Sequence, residues 1–106
     1  MTAPDLSALT HAQASALEQI AGAAILQMLT RQSNAREAIA NGGSDRWVIQ
    51  NHFDLADAQR LEAAARQFER AAHDRALKAG RDECIAARVI HAFAIEAMRA
   101  PMAVAA

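Results

Sequence analysis

The chain has 106 residues, 53% of them hydrophobic and 4% aromatic, and a formal net charge of −1. That length makes one domain with a modest core, and the near-neutral charge supplies no global positive field for nucleic acid. The single cysteine, Cys84, excludes an intrachain disulfide and fits a reducing, cytoplasmic compartment.

No basic start followed by an apolar run marks a signal peptide. The most apolar stretch, Ile20 to Leu29, is ten residues long and too short to span a bilayer. Prolines stand only at positions 4 and 101, and glycines at 22, 42, 43 and 80. Ala, Leu, Glu, Gln and Arg are strong helix formers. The expectation is an all-α fold, a compact bundle of three long helices plus one or two short connecting helices. It forms a single domain over residues 1–106, with flexible ends at 1–4 and 101–106.

In chain order, Asp5 or Ser7 is placed to cap a first helix just after Pro4. At about 100° per residue, Leu6, Leu9, Leu17, Ile20, Ala24 and Met28 share one stripe. Around Ile20 to Leu29 apolar residues surround the helix, with Leu26 and Leu29 off the main stripe. A helix apolar all round is buried on more than one side. Ser33 can cap a separate short helix, or the first helix runs through; Asn41-Gly42-Gly43 stops it in either case.

In "SDRWVIQNHFD", Ser44 or Asp45 can cap a short helix ending near Asn51, and Asp54 then caps the next long one. Phe53 and Ala58 would be its hydrophobic staple. From Asp54 to about Ala79 runs a narrow seam of Ala58, Leu61, Ala65, Phe68, Ala72 and Ala79, spaced as in a coiled coil. Gly80 is read as its end. Asp82 caps the last helix, whose main stripe is Ile85, Val89, Ala92 and Phe93; Ile95 and Met98 lie off it, and Pro101 follows its end near Arg99.

Few residues suggest chemistry. Glu69 and His73 are four residues apart and make one potential ligand pair, but the Glu-x-x-His spacing of bundle metal sites does not occur. Cys84 and His91, two turns apart, are separated by about 10 Å, too far for a thiolate–imidazole pair. Arg88, one turn from each, would lower the thiol pKa. "HDRALKAG", His73 to Gly80, resembles in part the segment around the phospho-accepting histidine of histidine phosphotransfer domains, where Leu-Lys-Gly follows closely. In this chain Leu77-Lys78 comes two residues later and Ala79 stands at the place of the glycine. Arg60, Arg66 and Arg70 would line a recognition helix if the protein were a helix-turn-helix DNA binder.

No catalytic residue, cofactor or metal ligand is therefore assigned. The expected function is a small non-enzymatic regulatory or adaptor protein that binds other proteins through its helices, for example an antiactivator or an inhibitor that sequesters a regulatory protein. The alternatives are a DNA-binding regulator and, behind it, a phosphotransfer or metal-dependent bundle. Trp47, with Arg46 and His52 beside it, is the expected partner-binding cluster, because Trp and Arg dominate interface hot spots. A homodimer is expected as well, with Ile20, Leu26, Leu29, Ile95 and Met98 at its interface. No membrane partner is expected. If Leu26 is buried there, Leu26→Glu costs several kcal/mol through an unpaired buried charge.

Overall fold

A computed structural model describes residues 5–105, with side chains as far as Arg99. Two helices, α1 (His11–Asn41) and α2 (Asp45–Ala105), pack as an antiparallel hairpin. The fold is all-α, but it is not the expected compact bundle. The molecule is a rod of 92 × 23 × 13 Å with a radius of gyration of 24.6 Å. A compact chain of this length would have a radius of gyration of about 13 Å.

α1 starts later than the Asp5 or Ser7 cap implied. Thr10 is the N-cap, its side chain accepting from Gln13 N–H while the Gln13 side chain accepts from Thr10 N–H. This reciprocal capping box satisfies two otherwise orphaned donors. Asp5 instead accepts the Ser7 N–H in a local turn, which holds its carboxyl below the usual carboxylate range. Ser33 opens no new helix, and α1 runs through to Asn41.

The turn falls where two glycines adjoin. Gly42 has φ +75° and Gly43 φ +138°, both in the region L side chains avoid. Ser44 then caps α2 by accepting the Trp47 N–H at 3.2 Å.

From there α2 runs for 61 residues, through every expected boundary. Asp54 is not a cap but an interior residue that accepts from the Gln50 amide. Phe53 staples nothing and is 69% exposed. Gly80 does not end the helix. A lone glycine costs a helix only about 1 kcal/mol, and here it leaves room for α1. A Cβ at Gly80 would lie 3.1 Å from His11 Nδ1, and that nitrogen donates to the Ala76 carbonyl at 2.8 Å. The separate third helix capped by Asp82 therefore does not exist. Helix also continues through Pro101, a residue that cannot donate a backbone hydrogen bond. Residues 1–4 and 106, expected to be flexible, lie outside the described residues.

The helices meet along a seam dominated by alanine. Ala14, Ala21, Ile25, Gln32 and Ala35 are buried on α1, and Asn51, Ala58, Ala72, Ala76 and Ala79 on α2. Small side chains let the two backbones approach closely, though each buries little area. Ala58, Ala72 and Ala79 are buried as expected and Ala65 is half-buried, while Ala76 joins them and the larger residues of the expected seam do not. Glu62 and Glu69 turn toward α1, while Leu61 and Phe68 stay 45% and 42% exposed. Among the described residues no helix is long and apolar enough to cross a membrane.

Candidate functional site

α1 has 31 residues and α2 has 61, and about two fifths of α2, from Arg81 on, has no partner within the hairpin. α1 begins beside Gly80. The chain before it folds back, so that the Leu9 carbonyl accepts from Arg75 Nε at 2.7 Å. Beyond Gly80 the helix stands alone.

That overhang is apolar on one side. Ile85 is 59% exposed, Val89 64%, Ile90 69% and Phe93 76%. The stripe of Ile85, Val89 and Phe93, expected inside a core, is thus open to solvent. Phe93 lies on the line of the hairpin seam. Ala58, Ala65, Ala72, Ala79, Ala86 and Phe93 follow one another at intervals of seven residues, the period that keeps one helix face toward a partner. α1 covers that line as far as Ala79 and not beyond. A register read across Gly80, together with the unequal lengths of α1 and α2, was the available sequence signal. Treating Gly80 as a stop hid it.

The residues expected to bind a partner are exposed but do not make one patch. Trp47 is 53% exposed, its ring lying across the turn with Cδ1 2.9 Å from where a Gly43 Cβ would sit. Trp47 and Arg46 flank one shallow groove with Ser44 and Gln50. On its other side Trp47 lines a second shallow groove with Asn34, Ala38 and Arg31 of α1. His52, five residues further, lies about 140° round the helix from Trp47.

The expected dimer interface is likewise dispersed. Ile20, Leu26 and Leu29 are exposed, but Ile20 and Leu29, nine residues apart, face opposite sides of α1 at about 100° per residue. Leu26 lies on the outer side of the hairpin, where a charge would meet water. Ile95 and Met98 sit on the overhang, with Ile95 partly covered and Met98 68% exposed. They lie about 35 Å along the rod from Ile20 at 1.5 Å per residue.

The polar residues are paired across or along the helices. Gln32 donates to Glu62 at 2.7 Å and Arg66 to the other Glu62 oxygen at 2.6 Å. The Gln32 amide, then Arg66, hold the Glu62 carboxyl below its usual range. His73 Nδ1 contacts Glu18 at 2.7 Å, a contact in which the imidazole must donate because a carboxylate only accepts. The hydrogen bond and charge of Glu18, with lesser help from Asp74 and Glu69, raise the His73 pKa above its ordinary 6.5.

His73 thus points to α1 instead of pairing with Glu69 as a ligand. Among the described residues no group of three or more His, Cys, Asp and Glu side chains could hold a metal. A shallow groove joins Glu18, Arg66, Glu69, Arg70 and His73, but its charges largely neutralise one another. Arg60 pairs with Asp57 at 3.1 Å and Arg66 with Glu62. The antiparallel packing of α1 and α2 differs from the steep crossing of a helix-turn-helix. Cys84 is exposed on the overhang, as are Arg88 and His91.

No protein-family model, curated protein or solved structure matches the chain.

Proposed function

We propose that this protein is a non-enzymatic association module, a rigid helical rod that binds protein through the apolar overhang of α2. The observation that carries the reading is the exposure of Ile85, Val89, Ile90 and Phe93, each at least 59%, on one unaccompanied stretch of helix. Contiguous exposed apolar surface marks association sites, and a helix offering anchors at three- and four-residue intervals is a standard element of helix-mediated recognition. An adaptor, or an inhibitor that sequesters a regulatory protein, uses a surface of this kind. Trp47 and Arg46, at the opposite end of the hairpin, are a second candidate contact of the hot-spot type.

The test is a photo-crosslinking residue placed at Val89 of the full chain in the cells that make it. Covalent protein adducts at Val89, lost when Phe93 is replaced by Asp, are the expected result. Adducts to nucleic acid alone, or none while a control position on the hairpin reacts, would overturn the reading.

A further inference from the structure

We propose that the uncovered face of α2 between Arg81 and Arg99 pairs antiparallel with the same segment of a second copy of this chain, joining two hairpins into a symmetric dimer. The inference rests on the association reading above and names the partner.

Continuity is its first support. The seam that α1 covers up to Ala79 continues without a break in register. Ala86 and Phe93 extend the line of Ala58, Ala65, Ala72 and Ala79, and Glu83, Ile90 and Ala97 extend the line of Glu62, Glu69 and Ala76. The overhang therefore presents the same kind of face that the hairpin already uses to bind a helix. The described part of the chain offers nothing to cover it, because α1 starts beside Gly80 and Leu9 is tied back to Arg75. A second copy supplies an identical unpaired face, and a twofold axis satisfies both at once.

Complementarity selects the direction. With the axis near His91 and Ala92, an antiparallel pair sets Ile90 against Phe93 of the partner subunit, and Ala86 against the partner subunit's Ala97. The two bulky apolar layers then fall at the centre and the small ones outside them. It also sets Asp82 and Glu83 of the two copies at opposite ends of the pair. A parallel pair would stack Asp82, Glu83 and Phe93 each upon its own copy, with like charges side by side. This layout uses Ile90 and Phe93 in place of Ile95 and Met98, which face away from the seam.

The experiment combines sedimentation equilibrium of the full chain with disulfide mapping. In a Cys84→Ser background, Ala86→Cys and Ala97→Cys are made as separate proteins. Mixed and oxidised, they should cross-link to each other. Neither should cross-link to itself, since like positions stand about 16 Å apart along an antiparallel pair. Replacing both Ile90 and Phe93 by Ala should raise the dimer dissociation constant roughly a hundredfold, as loss of central anchors does, with the helical circular dichroism retained. Leu26→Glu on the outer side of the hairpin serves as the control and should leave the dimer intact.

A chain that stays monomeric at every concentration overturns the proposal. Adducts of a different protein at Val89 would then still uphold the association reading. Self-linking of Ala86→Cys overturns the antiparallel direction. A dimer indifferent to the Ile90 and Phe93 replacements overturns its location.

Discussion

Gly43 shows how one residue decides a boundary. Its φ of +138° is open to glycine and strained for any L side chain, and a Cβ would stand 2.9 Å from Trp47 Cδ1. Gly43→Ala should destabilise the hairpin by about 1–3 kcal/mol, read by urea unfolding, and should red-shift Trp47 emission as the ring leaves the turn. His73 supplies a second test. Its pKa is raised by Glu18, so the stability it lends is complete below the ordinary value of 6.5 and is lost as pH climbs through the higher folded value. Glu62 acts in the opposite sense. Its pKa is lowered, so its contribution is present above 4.5 and is lost as pH falls through the lowered value. Unfolding free energy should therefore peak between these limits. His73→Gln should flatten the alkaline side alone, and an unchanged slope in a pH series of unfolding curves would remove the Glu18 contact from the account.

At the scale of the element, the seam was legible in part. Its alanines at 58, 65, 72 and 79 were readable from spacing because a seven-residue repeat keeps one helix face toward a partner. The residues between them were not. Leu61 and Phe68 are the more apolar choices, yet Glu62 and Glu69 turn inward. Glu62 does so because Gln32 and Arg66 satisfy both its oxygens. No pattern within α2 announces a partner that lies 30 residues away on α1. Close approach of the backbones makes the seam intolerant of bulk. Ala72 is fully buried, and Ala72→Leu should cost about 1–3 kcal/mol by overpacking. Leu61→Ala, at an exposed site, should cost less. Thermal melts of the two variants check the order.

For the whole molecule, the central fact is the mismatch between a 31-residue helix and a 61-residue one. The part of α2 up to Gly80 draws its stability from a neighbour and the rest only from its own propensity, which is marginal for an isolated helix. In a dilute monomer, amides from Arg81 to Arg99 should exchange far faster than those from Asn51 to Ala79, and association should protect them. Hydrogen-exchange mass spectrometry at two protein concentrations reads this directly. Equal protection along all of α2 in the monomer would mean that the overhang is covered within one chain.

The sequence by itself determined the helical content, the stop at Gly42-Gly43 and the alanine spacing. These follow from backbone propensity and local periodicity, which act within a few turns. It also contained the Thr10–Gln13 capping box, a four-residue pattern. Only the tertiary structure decided the number of helices. A single glycine weakens a helix by about as much as one good contact restores. Whether Gly80 ends a helix therefore depends on what packs there, and His11, 69 positions away in sequence, packs there. The same long-range pairing decided which face of α2 is covered and left Ile90 and Phe93 open beyond the reach of α1.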